Sequence, residues 1–149
     1  MSDSDFQELL NMDAENAVRP PAMPSGTYKC RVKQQQGVKS RDKGTPGIQF
    51  DFTDWEPQAD VDVDRWQEFC SSPVINPTTL TKSETFWLTP PAMWRLKEFC
   101  VACGTAKNGP MGKLVADAVG QSVLVSVTQT VGQDGQSVYN NLGGYAMVA

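Results

Sequence analysis

The sequence contains no histidine. That removes Ser-His-Asp and Cys-His catalytic arrangements and every histidine-based metal site. No Gly-x-x-x-x-Gly-Lys-[Ser/Thr] stretch occurs, so a nucleotide P-loop is absent. No apolar run approaches the roughly 20 residues that span a bilayer. The start, Met1-Ser2-Asp3-Ser4-Asp5, is acidic where a secretion signal is basic. These absences predict a cytoplasmic chain without a membrane partner. Its four cysteines are then expected as thiols. Nothing pairs a nucleophile with a base. No enzymatic activity, metal or cofactor is expected.

What is present is segregated charge. The net charge of −4 over 149 residues argues against a nucleic-acid ligand only if charge is spread evenly. It is not. Residues 1–18 hold five acids and no base. Residues 19–43 hold seven bases and one acid, and residues 51–68 hold seven acids and one base. A basic block lies between two acidic ones.

Residues 1–25 read as an arm and a proline-rich linker. Phe6, Leu9, Leu10 and Met12 could share one short helical face, and Pro20, Pro21 and Pro24 then end regular structure. Residues 26–149 read as one domain. Thr27–Lys33 alternates Tyr28, Cys30 and Val32 against Lys29, Arg31 and Lys33, the period of a half-buried strand. Residues 34–47 read as a long polar connection. Ile48, Phe50 and Phe52 alternate with Gln49, Asp51 and Thr53, and that parity sends Trp55 outward.

Residues 57–81 lack periodicity and read as an insertion with a short helix near 64–70. Thr85–Leu88 is a third strand with Trp87 outward. Thr89-Pro90-Pro91 starts a helix that Gly104 stops. A shorter helix runs from Lys113 to Val119. Ser122–Thr130 and Val138–Leu142 form a hairpin through Asp134-Gly135, interrupted at Gly143-Gly144.

The order is three strands, helices, two strands. A helix between strands three and four of a five-stranded antiparallel set is the layout of the oligonucleotide/oligosaccharide-binding (OB) barrel. The expected fold is therefore a mainly β, OB-like barrel. In that layout strands one to three are neighbours. Their outer positions would join Lys29, Arg31 and Lys33 to Trp55 and Trp87, with Lys39, Arg41 and Lys43 in the following loop. Cations that track phosphates and flat rings that stack bases are what single-stranded nucleic acid requires.

Other motifs have plainer explanations. Cys100-Val101-Ala102-Cys103 is a lone CxxC. A zinc site needs four ligands, so the pair reads as part of a buried helical stripe. Asp60, Asp62 and Asp64 lack the glycine and distal glutamate of a calcium loop. The acidic arm, with Asp3, Asp5, Phe6, Glu8, Leu9 and Leu10, has three readings. It is a solubilising tail, a competitor for the basic groove, or a recruiter of replication or recombination proteins.

Several segments resemble bacteriophage single-stranded-DNA-binding proteins with an OB fold. They are Pro24-Ser25-Gly26-Thr27-Tyr28, Lys43-Gly44-Thr45-Pro46, and Leu88-Thr89-Pro90 leading into Trp94-Arg95-Leu96-Lys97-Glu98-Phe99. The apolar residues of the arm and the terminal hairpin with Asp134-Gly135 and Tyr139 are similar too. The resemblance covers residues 1–56 and 84–142. It implies sequence-nonspecific protection of single-stranded DNA in replication or recombination, in the host cytoplasm. It makes Tyr139 a further stacking candidate. The competing expectation is an OB-like protein-interaction module of a replication or virion assembly that binds no nucleic acid. Self-association is compatible with either.

Overall fold

A computed structural model describes Leu10 and residues 21–148. Five strands form one antiparallel sheet: β1 (Gly26–Lys39), β2 (Pro46–Pro57), β3 (Lys82–Trp87), β4 (Ser122–Val131) and β5 (Val138–Ala146). Their order across the sheet is β3-β2-β1-β4-β5. The sheet curls into a nearly closed, OB-like barrel. Tyr145 of β5 reaches across the remaining gap. Its ring packs on Phe86 of β3 at 5.9 Å and on Phe99 at 4.8 Å.

Three helices complete the barrel: α1 (Val63–Cys70), α2 (Met93–Ala102) and α3 (Met111–Ala118). A single 3-10 turn, Pro90–Ala92, leads into α2. Proline suits this start because it has no N–H to leave unpaired. The buried face of α2 is Leu96, Phe99, Cys100 and Ala102, and Gly104 ends the turn at φ 91°. The thiols of Cys100 and Cys103 lie in the core, as the stripe predicts. Burial pushes the Cys103 thiol up to about 12 and that of Cys100 to about 11, far from a reactive thiolate. Among the described residues, no group of three or more acidic or thiol ligands is placed to hold a metal ion.

The sheet differs from its expected outline in three ways. First, β1 continues through Gln34–Lys39, which the sequence presents as loop. These residues pair with Pro46–Asp51, and most are exposed, so no apolar alternation marks them. The true loop is 40–45, closed by the Ser40 and Thr45 backbones at 2.8 Å, with Gly44 at φ 63°. Second, β3 starts at Lys82. Third, β5 runs through Gly143-Gly144. Ser126 pairs with Gly143 and Leu124 with Ala146, which leaves one extra residue on β5. Gly144 takes φ 59° there, where a Cβ would sit 3.1 Å from Ser126 Oγ.

The insertion is folded against one end of the barrel. Asp62 caps α1 by accepting from Arg65 N–H at 3.1 Å. Trp66 then packs on Phe69 at 5.5 Å and on Tyr28 at 5.3 Å. The Tyr28 hydroxyl donates to the Pro24 carbonyl at 2.7 Å, which ties the incoming chain to the same cluster. Asp60 accepts from the Thr27 N–H and hydroxyl at 2.9 and 2.8 Å. Part of the insertion's acid is thus structural.

Candidate nucleic-acid interface

The register of β1, β2 and β3 defines the rows of the outer face. Val38, Gly47 and Trp87 form one row; Gln36, Gln49 and Thr85 form the next. Gln34, Asp51 and Ser83 follow, then Arg31 with Thr53 and Ser122, then Lys29 with Glu56 and Leu124. Residues opposite one another in an antiparallel pair share a face, so these side chains lie on one surface.

Trp87 faces outward, as its parity predicts, and is 39% exposed. It covers Gly47, where an added Cβ would lie 2.8 Å from Trp87 Cε3. Glycine therefore lets the indole settle on the sheet. Val38 flanks Gly47 from the other side. This leaves an apolar step at the root of the β1–β2 hairpin.

Lys33, Lys39, Arg41 and Lys43 are exposed, and Lys29 is half-buried. Lys39 ends β1, while Arg41 and Lys43 ride the hairpin loop. Arg31 is exposed but engaged: its Nε donates to Asp54 Oδ2 at 2.8 Å. One stretch of chain thus lays Lys29, Arg31 and Lys33 along the face and Arg41 and Lys43 on its hairpin loop, with Lys39 at the strand end on the side opposite Val38.

Trp55 requires correction. It is 7% exposed and faces the core. Its Nε1 donates to the Leu80 carbonyl at 3.2 Å, and its ring meets Tyr28 edge-on at 6.0 Å. The cause is a bulge. Arg31 pairs with Thr53 but Lys29 pairs with Glu56, so β2 holds one extra residue. Asp54 absorbs it at φ 59°, and every later side chain changes face. A second bulge in β1 places Lys33 as the extra residue between Val32 and Gln34.

Tyr139 also stands apart. It is 59% exposed and pairs with Thr130 near the end of the β4–β5 hairpin. That hairpin extends past the Gly26 end of β1, opposite the end that carries Lys39. The arm residues Asp3, Asp5, Phe6, Glu8 and Leu9 lie outside the described residues. Leu10 is helical and exposed.

Asp51 occupies the centre of the face and is only 7% exposed. It accepts from Ser83 Oγ at 2.6 Å, Gln34 Nε2 at 2.6 Å and Gln49 Nε2 at 3.2 Å. The Ser83 and Gln34 hydrogen bonds, in that order, hold its carboxyl below the usual range, against the opposing effect of burial. The face therefore has a fixed negative centre with cations around it. Gln34, Gln36, Gln49, Ser83 and Thr85 supply a polar lining that charge counting does not single out.

The class defined by this geometry is a small OB-like barrel that presents a mixed aromatic, polar and basic sheet face. A family model matches residues 10–149, and the chain belongs to that family, described as Protein of unknown function (DUF669). No curated protein matches the chain.

Proposed function

We propose that this protein binds single-stranded DNA through the outer face of β1–β3, without strong sequence preference. The observation that carries the reading is Trp87, half-open on Gly47, next to a hairpin bearing Lys39, Arg41 and Lys43. A base stacked on the indole gains about 1–3 kcal/mol, and lysine and arginine neutralise phosphates with release of counterions. Lys33 and Arg31 extend that cationic path towards Lys29. The fixed charge of Asp51 disfavours phosphate at the centre of the face. Phosphates then run at the rim and bases face the sheet, where Gln36, Gln49 and Thr85 offer both donors and acceptors. Protection of exposed strands in replication or recombination, in a phage setting, is the role consistent with such a contact.

Titration with oligo-dT tests this. Binding should quench tryptophan emission and weaken steeply with salt. Trp87→Ala should weaken it by about 1–3 kcal/mol. No quenching and no mobility shift at low salt would sink the proposal. A second reading, a protein-interaction module, is favoured by the acids Asp51 and Glu56 on the same face, with Asp54 held at its edge by Arg31. Absence of nucleic-acid binding by the full chain would turn the interpretation to it.

A further inference from the structure

Trp94, near the start of α2, is 59% exposed and so more open than Trp87. The core does not use it, because α2 packs through Leu96, Phe99 and Cys100. Trp94, Lys97, Glu98 and Val101 fall at i, i+3, i+4 and i+7, on the face of the helix opposite that stripe. With Lys107 from the segment after α2 they line an open cleft of about 400 Å³. Lys97 and Lys107 are exposed, and among the described residues no salt bridge engages either. Between residues 93 and 113, Glu98 is the one acid against Arg95, Lys97, Lys107 and Lys113. The cleft thus sets a flat apolar ring beside a surplus of cations.

This cleft borders the sheet. Trp94 also lines a neighbouring cleft of about 250 Å³ together with Phe86 of β3 and Tyr145 of β5. β3 is the edge strand of the β1–β3 face, and Phe86 precedes Trp87 in it. Trp94 stands seven residues after Trp87, so their Cα atoms are at most about 25 Å apart. A separation of that size falls within the about 4–16 nucleotides that one OB fold holds.

We propose that a single strand bound across β1–β3 continues past the β3 edge onto α2, where Trp94 stacks a base and Lys97 and Lys107 neutralise phosphates. The inference rests on the single-stranded-DNA reading above and adds a second stacking platform to it. Ring and charge together select this occupant. A nucleotide brings a π-face for the indole and an anion for the lysines. An apolar protein surface that covered Trp94 would desolvate both lysines without offering them a partner. Glu98 marks the side of the cleft that phosphates avoid.

Titration of the full chain with an oligo-dT of about 16 nucleotides tests it. Trp94→Ala removes an exposed ring and leaves the core stripe intact, so thermal unfolding should stay near wild type while affinity falls about tenfold. Lys97→Gln combined with Lys107→Gln should make the slope of log affinity against log salt shallower by about 1.4. The same oligonucleotide carrying 5-iododeoxyuridine, irradiated in the complex, should label Trp94 as well as Trp87 when the adducts are sequenced residue by residue. Label on Trp87 alone, or wild-type affinity in Trp94→Ala, would overturn this inference and leave the β1–β3 reading standing, with the α2 patch passing to a protein partner. No binding by the wild-type chain would overturn both.

Discussion

Trp87 sits over Gly47 so closely that a Cβ at position 47 would come within 2.8 Å of Cε3 and 3.0 Å of Cζ3 of its indole. The backbone at Gly47 does not take a positive φ, so alanine is excluded only by the ring and by Thr85 Cγ2 at 3.1 Å. Gly47→Ala should lift the indole off the sheet at a cost of about 1–3 kcal/mol in stability. If Trp87 stacks bases from its seated position, oligo-dT affinity should fall as well. Tryptophan emission and urea unfolding of the variant, with a titration alongside, check both. Unaltered emission together with wild-type affinity would show that the seat does not matter.

Asp54 does two jobs that can be separated. It holds φ 59° at the bulge and pairs with Arg31 at 2.8 Å. Both side chains are more than half exposed, so the pair is worth at most about 1 kcal/mol. Asp54→Gly keeps the backbone conformation and frees Arg31. Stability should change little, while affinity for single-stranded DNA and its salt dependence should rise. Asp54→Val places a β-branched residue in a left-handed conformation and should cost about 1–3 kcal/mol. Comparing the two by thermal unfolding separates strain from charge. Equal destabilisation by both would refute the assignment.

This bulge also explains where the sequence misleads. Alternation from Ile48 to Phe52 marks β2 and its buried face, and Phe86 and Trp87 mark the two faces of β3, although the strand runs Lys82–Trp87 and leaves Leu88 outside it. Parity could be read only as far as the strand remained regular. Asp54 has no sequence mark that distinguishes it from a surface aspartate, so parity alone sends Trp55 to the wrong face. The Gln34–Lys39 extension was hidden for the opposite reason: a hairpin that is exposed on most sides needs no apolar period. The helical stripe of α2 stayed legible because burial on one side imposes its spacing.

Asp51 should leave a signature in acid. Its folded-state carboxyl titrates below the usual range, chiefly through the Ser83 hydroxyl and the Gln34 amide. The folded state thus binds fewer protons than the unfolded state in that window. The stabilisation is complete above the unfolded value of about 3.9 and is lost as pH falls through the folded value. Asp51→Asn should therefore be less stable than wild type near neutrality, and the gap should close towards pH 3. Urea unfolding at the two pH values reads this directly. A gap that is constant with pH would assign the loss to packing.

The hairpin charges provide the most direct separation of electrostatics from fold. Lys39, Arg41 and Lys43 are exposed, and the hairpin is held by backbone pairing and by Ser40 Oγ, which accepts from Thr45 N–H at 2.9 Å. Changing all three to glutamine leaves those bonds intact, so stability should move by no more than about 0.5 kcal/mol. If each cation neutralises a phosphate, the slope of log affinity against log salt should become shallower by about 0.7 per charge, roughly two in all. Trp87→Ala should lower affinity at every salt concentration and keep the slope. That contrast assigns the hairpin to the phosphates and the indole to the bases. Identical slopes in wild type and the triple variant would remove the hairpin from the contact.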